Sequence, residues 1–459
     1  MTDHRDPIEA WLSADVEPLP PRPGTFERVR RRARRRKAAR TISAAAGAAV
    51  IVAAAATVPQ VARSLQPSPP SGPNKLATGT TGKSSGAISP KPTPSSQLDL
   101  RRGLPLSSAG SGPQPPANFE PTSVTFVGSH TGAVLGQGGT ACAKGLCTAV
   151  AGTANYGRDW SAMAAPATEA PNGSSGVSQI RFLDLRDGWA FGPALFATHD
   201  GGATWTPIAT LPGRVIDLAA VGNRVLAVAA SCSGQGRAFA SGCTSFALYS
   251  AKAGSDQWQP VPGAFGTGSV RPGALQLTPS GGYLLADHRL YAGPVKRGSW
   301  HIVTAGSGSE PPCLRATSHD LAVIAPSGSG LYLACGMRPA DAQPGGTGGT
   351  GGVTLYLSAD AGRSWQPRST PKAQGTTTSL AVSPDGVVVL ATTTGIWWSP
   401  DAITWHQARV TVAAPAGGFI FVGMTTSKQG VAVPADWALH ELFITRDGGR
   451  DWQPSRIPR

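Results

Sequence analysis

The sequence predicts an all-β fold, a seven-bladed β-propeller, preceded by one amino-terminal transmembrane helix and a disordered linker. Three observations predict it. A short unit ending in tryptophan recurs along the chain. Those tryptophans, residues 160, 205, 258, 300, 365, 405 and 452, stand 40 to 65 residues apart, which is the length of a four-stranded blade. Glycine (58) and proline (41) are abundant while charged residues make up only 14%, a balance that suits many short strands and tight turns and argues against a helical bundle. Seven tryptophans give seven blades, with six to eight as the range.

The chain has 459 residues and divides into four parts. Residues 1–40 hold 11 Lys/Arg against 6 Asp/Glu and end in "GTFERVRRRARRRKAAR". Residues 41–58, "TISAAAGAAVIVAAAATV", carry no charge and no proline. Eighteen such residues reach the lower limit for a bilayer-crossing helix. A basic block directly before the span holds the amino terminus in the cytoplasm and sends the rest outward. The expectation is therefore a cytoplasmic arm over 1–40 and a signal anchor over 41–62. A cleaved signal peptide is the rival reading, although its charged region is ordinarily much shorter than 40 residues. The arginine cluster reads as a topology signal that touches anionic headgroups, or as a docking site for a cytoplasmic, transcription-related partner.

Residues 63–119 are rich in Pro, Ser, Gly and Thr ("QPSPPSGPNKLATGTTGKSSGAISPKPTPSSQ"). Little there can bury a face, so ordering entropy is not offset, and a disordered spacer is expected. A patch at 98–106, "LDLRRGLPL", is left open as a segment able to pack on the following domain.

Residues 120–459 are the propeller. The formal net charge of +14 belongs largely to the amino-terminal third, and 120–459 is nearly balanced for its size. A nucleic-acid-binding domain concentrates basic charge on its own surface, so no nucleic-acid partner is expected. The six cysteines all lie here as three close pairs: Cys142 and Cys147, Cys232 and Cys243, Cys313 and Cys335. Disulfides between nearest neighbours in an oxidising compartment are expected. Free buried thiols and a metal site are the alternatives. With no C-x-x-C and the pairs far apart, a metal site is poorly supported.

The recurring unit is clearest as Thr198-His-Asp200-Gly-Gly202-Ala-Thr-Trp205. It returns as Ser358-Ala-Asp360-Ala-Gly362-Arg-Ser-Trp365 and Thr445-Arg-Asp447-Gly-Gly449-Arg-Asp-Trp452. A copy with Asn for Asp runs Thr153, Asn155, Gly157, Trp160. Ser250, Gly254 and Trp258 form a copy with one extra residue. Ser399, Asp401 and Trp405 form one that lacks a residue. Trp300 keeps little but its ring. Hydroxyl and carboxylate accept from backbone N–H groups of one tight turn, glycine takes a left-handed position, and the tryptophan packs between sheets. One carboxylate per turn is poor ligation for calcium, so no metal is expected. Ahead of these turns, short apolar runs are broken at Arg186-Asp187-Gly188 and Pro384-Asp385-Gly386, as blade strands require.

This pattern, S/T-x-D-x-G-x-S/T-W, resembles the Asp-box of the sialidase-like, BNR-repeat propellers. The phrase "RFLDLRDGWAFG…ATHDGGATWTPI" is most like the bacterial and photosystem II assembly factor-like type. The resemblance covers about three-quarters of the chain and implies the fold far more than the function. A sialidase would need an arginine triad, a Tyr–Glu pair, an acid/base Asp and an F/Y-R-I-P motif near the start of the propeller. Here "SRIP" stands only at 455–458, and just four glutamates follow residue 118. No H-E-x-x-H or P-loop occurs, and G-x-S-x-G is met only as "GKSSG" at 82–86 in the linker, outside the propeller; the propeller histidines form no short-spaced ligand pair. The expected function is non-enzymatic, without a cofactor. A membrane-tethered, extracytoplasmic propeller would bind a protein or cell-envelope glycan through its loop-rich face. A sialidase-like glycoside hydrolase and a membrane-spanning regulator are the alternatives.

Overall fold

The computed structural model describes residues 105–457, apart from 111, 143–144, 170–174, 233–242, 264, 267–269, 307–308, 316–320, 329, 337–352, 370, 372, 374 and 413. The predicted cytoplasmic arm, anchor and most of the linker lie outside these residues. Among the described residues no helix is long and apolar enough to cross a membrane.

Seven antiparallel sheets follow one another along the chain, each with its strands hydrogen-bonded in sequence order. They span 120–163, 179–207, 214–260, 270–302, 321–367, 377–407 and 419–456. The first strand of every sheet lines a common central lumen. The sheets are therefore the blades of a propeller, first strand innermost and fourth strand outermost. The fourth strands are short and exposed, as at Thr206–Pro207 and Gln366–Pro367. Short outer edges offer little template for pairing with another chain.

Hydrophobic side chains fill the seams between blades rather than one central core. Leu135, Val150, Ile180, Phe182 and Ala190 join blades 1 and 2. Val389, Phe419, Ala432 and Phe443 join blades 6 and 7. A larger cluster around Leu248, Leu284, Tyr291, Trp300 and Leu331 spans blades 3 to 5. The apolar alternation of each strand explains this, because successive side chains point to opposite faces and each face meets a neighbouring blade.

Among the described residues the ring closes without exchange of a strand between its ends. Blade 1 packs on blade 7 through Phe119, Val134, Trp160, Val433, Leu442 and Ile444. Tyr156 of blade 1 donates its phenolic hydrogen to the Gly430 carbonyl, 2.8 Å away in blade 7. Between blades 6 and 7 the chain adds a fifth strand, Arg409–Val410, parallel to the last strand, Asp451–Arg456.

The end of the predicted linker is part of the domain. Leu106 is fully buried in the seam between blades 1 and 2. Its N–H donates to Gly201 O at 2.7 Å, and farther on Ala162 donates to Pro113 O at 2.7 Å along the outer strand of blade 1.

Antiparallel order gives the ring two distinct faces. Turns between strands 1 and 2 and between strands 3 and 4 lie on one face. Turns between strands 2 and 3, and the links between blades, lie on the other. The tryptophan-ended turns all belong to the first face.

Candidate binding site

The turn face is a set of structural locks. In blade 2 the Thr198 hydroxyl accepts from Gly202 N at 2.8 Å and donates to Asp200 Oδ1 at 2.9 Å. Asp200 also accepts from the N–H and the hydroxyl of Thr204, at 2.9 and 2.6 Å. The same bonds recur in blade 5 around Ser358, Asp360 and Gly362. They recur in blade 7, where Thr445 Oγ1 accepts from Gly449 N and Asp447 Oδ1 from Asp451 N. In blade 1 Thr153 holds Gly157 N, and Asn155 Oδ1 holds the N–H groups of Arg158 and Asp159.

The full turn needs two consecutive left-handed residues, such as Ala361 and Gly362, with φ of 63° and 94°. Blade 6 lacks one residue and keeps a single left-handed position, Ala402. Asp401 there accepts from Ile403 N and Thr404 N instead.

Blade 3 departs from the expectation. Its extra residue and missing aspartate leave the turn closed by the backbone bond Ser255 N to Lys252 O. The Ser250 hydroxyl makes no lock bond among the described residues, though Gly254 is left-handed and Trp258 buried. In blade 4 Trp300 is fully buried and bonds Pro294 O, with no lock around it.

Each lock seats on the blade before it. A side chain at Gly157 would collide with Ile444 of blade 7, and one at Gly362 with Leu290 of blade 4. Trp205 and Trp405 donate to Ala164 O and Ser369 O in the links ahead of their own blades.

A further contact on this face was not predicted. His199 stands between Asp187 of its own blade, at 2.7 Å from Nδ1, and Asp256 of blade 3, at 3.3 Å from Nε2. Burial lowers the imidazole pKa, but the bonds and charges of the two carboxylates outweigh it and raise the pKa above the usual 6.5.

The opposite face carries the cysteines. Cys232 and Cys243 are disulfide-bonded across the second and third strands of blade 3. Cys313, in the link into blade 5, is bonded to Cys335 at the end of that blade's second strand. Cys147 is disulfide-bonded as well, and the side chain of Cys142 lies outside the described residues. Two histidines pin this face in the same way. His288 and His440, both left-handed, donate from Nδ1 to Cys313 O at 3.0 Å and Phe119 O at 2.9 Å. In each case the carbonyl belongs to the segment leading into the next blade.

The lumen opens between these loops. Its volume is about 1380 Å³. Ile420 and Trp437 line it and remain 38% and 41% exposed, unusual for large apolar side chains. Most of the wall is small, apolar or hydroxylic, because inner-strand hydroxyls turn sideways to the next blade. Ser123 Oγ accepts from Ile180 N, and Thr378 Oγ1 donates to Phe419 O. Among the described residues the wall has one arginine, Arg181, and no tyrosine or glutamate. Asp287 and His288 line it from a strand 2–3 turn.

Asp217 is buried beside this wall and spans blades 3 and 4. Its Oδ1 accepts from Leu218 N at 2.9 Å and its Oδ2 from Leu275 N at 2.7 Å. Burial pushes its carboxyl up to about 6, against the pull of those N–H donors and of the Arg181 charge. Neither Arg181 nor Asp217 stood out in the sequence. The available signal was a charged residue interrupting an apolar inner strand, as in "QIRF" and "RVIDLAAV".

No protein-family model and no curated protein matches this sequence. Solved propellers resemble it in structure. YCF48 bound to D1 peptide is 18% identical with a TM-score of 0.47, over 73% of this chain and 93% of that one. YCF48 from Cyanidioschyzon merolae is 14% identical with a TM-score of 0.47, over 72% and 94%. The α-L-arabinofuranosidase Arb93A from Fusarium graminearum is 13% identical with a TM-score of 0.38, over 72% and 91%. The ring itself rests on the strand pairing of this chain, and no ligand or reaction passes to it from these proteins.

Proposed function

We propose that the chain is a membrane-tethered, extracytoplasmic binding propeller that receives a segment of another protein at the lumen mouth on its disulfide-bearing face. Residues 41–62 would be the tether, 63–104 the spacer, and 1–40 the cytoplasmic arm. One observation carries the reading. An open lumen of about 1380 Å³ presents Trp437 and Ile420 to solvent, and its wall has no tyrosine or glutamate among the described residues. Large concave sites with exposed apolar anchors suit recognition. Disulfides and histidine bonds hold the surrounding loops, which limits the ordering cost of binding.

The test is a photo-crosslinking side chain in place of Ile420 on intact cells, with and without Ala219→Trp, which narrows the lumen. Capture of a protein that the narrowed lumen weakens is the expected result. Capture that the narrowed lumen leaves unchanged would place recognition elsewhere. Capture of glycan alone, or turnover of a fluorogenic sialoside, would favour the other readings. The tether is tested by deleting 41–62, which should move the protein to the soluble fraction.

A further inference from the structure

Arg181 lies on the inner strand of blade 2, Gln179–Phe182, deep within the ring. Its Nη1 donates to Ile180 O at 2.9 Å, and its guanidinium lies 5.9 Å from the centre of the Phe421 ring in blade 7. A guanidinium has five N–H donors in a planar fork. Among the described residues it makes no other hydrogen bond and no ion pair within 4.0 Å. Asp217 acts on it only at longer range, with both oxygens already committed to backbone N–H groups. Burial pulls the arginine pKa below its ordinary value, with the Asp217 charge opposing that pull.

A cation taken out of bulk water without a close counter-charge costs several kcal/mol of hydration. The chain keeps one here, in the wall of the lumen, with a ring beside it and N–H donors to spare. Lysine or arginine elsewhere on the lumen wall would have made this a general basic surface, and none is present among the described residues.

We infer that the segment received by the lumen is acidic, and that a carboxylate of that segment seats on the Arg181 guanidinium against the Phe421 ring. This rests on the channel reading above and narrows it to one ligand chemistry. A carboxylate matches the planar fork through two parallel N–H···O bonds. Partial burial of the guanidinium in the lumen wall strengthens the pair relative to one at the surface. Hydroxyls and small apolar groups make up most of the remaining wall, and among the described residues Asp287, at a strand 2–3 turn of blade 4, is the one carboxylate on it.

The test uses the full-length protein in detergent and three fluorescent probes: hexaglutamate, hexaglutamine and hexalysine. Hexaglutamate should bind best, and its affinity should fall with added salt. Arg181→Gln should weaken it about tenfold or more, as loss of a charge-assisted bond predicts. Arg181→Lys keeps the charge without the fork and should fall between. Melting curves of both variants confirm folding. Equal binding of hexaglutamate and hexaglutamine, or no effect of Arg181→Gln in a folded protein, overturns the inference. The two readings fail separately. If Ala219→Trp weakens the crosslink at Ile420 while Arg181→Gln leaves it unchanged, the lumen reading stands and the acidic ligand does not.

Discussion

Trp160 in the first blade donates its indole N–H to the Ser455 hydroxyl in the last, 3.0 Å away and 295 residues later in sequence. Ser455 in turn donates to the Gly157 carbonyl of the first blade. One hydroxyl thus satisfies two buried groups at the seam where the ring meets itself. Ser455→Ala leaves the indole N–H and that carbonyl without these partners, at an expected cost of about 1–3 kcal/mol. Trp160→Ala removes the packing as well and should cost about 3–5 kcal/mol. Denaturant unfolding of the two variants measures both. Since no strand is exchanged at this seam among the described residues, Ser455→Ala should also speed amide exchange on the outer strands of blades 1 and 7 before others. Uniform exchange would show that closure is not the weak point.

Blades 1 and 5 make the same lock with opposite chemistry. In blade 5 Asp360 accepts from the Ser364 hydroxyl at 2.6 Å. In blade 1 Asn155 donates from Nδ2 to Asp159 at 2.7 Å. Asp360→Asn alone loses the charge-assisted bond, and Asp360→Asn with Ser364→Asp rebuilds the blade 1 arrangement. The double variant should recover most of the stability lost by the single one. The pH response separates them further. The Ser364 hydroxyl and N–H, then Ser358, hold the Asp360 carboxyl down to about 2, from 3.8. A depressed pKa contributes stability above the unfolded value that is lost as pH falls towards the folded one. Asp360→Asn should therefore flatten the acid limb of the melting profile between about pH 4 and about pH 2.

The lock turns were legible in the sequence because all their bonds lie within seven residues. Thr198, Asp200 and Gly202 need nothing from the rest of the chain to find one another. Blade number followed from the tryptophan spacing for the same reason. Blade 3 was over-read: Ser250, Gly254 and Trp258 keep the outline of the pattern, but without the aspartate there is no acceptor to close it. The lumen was not legible. Arg181 and Phe421 are 240 residues apart, and their approach depends on how the ring closes, which no local signal records. Leu106 was undecidable for a similar reason, since one leucine in a Pro/Ser-rich stretch gains its burial only from a seam that two blades form.

His199 joins blades 2 and 3 through Asp187 and Asp256. Its pKa is raised, so the stabilisation is full below the unfolded value of 6.5 and is lost as pH rises through the folded one. His199→Gln keeps hydrogen bonding and removes the charge. The variant should melt below the parent near about pH 6, with the gap closing as pH rises through the folded value. The groups are partly exposed, so the gap should also shrink with salt. A pH-independent gap would assign His199 a packing role only.

Asp217 gives the opposite slope to the lock aspartates. Its folded pKa of about 6 lies above the ordinary 3.8 because burial disfavours the charged form. Between those values the native state holds a proton that the unfolded chain has released, so stability falls as pH rises through the window. Asn carries no titrating proton and should remove that slope. It also has a single acceptor oxygen, whereas Asp217 serves Leu218 N with one oxygen and Leu275 N with the other. Asp217→Asn therefore leaves one buried N–H short of an acceptor, a loss of about 1–3 kcal/mol that should be most evident near pH 4. Towards pH 7 the parent bears the cost of a buried charge and the variant does not, so the two curves should converge. Unfolding free energies at a series of pH values check this. Parallel curves would mean that Asp217 stays ionised across the whole range, held charged by Arg181 and its N–H donors more strongly than burial opposes it.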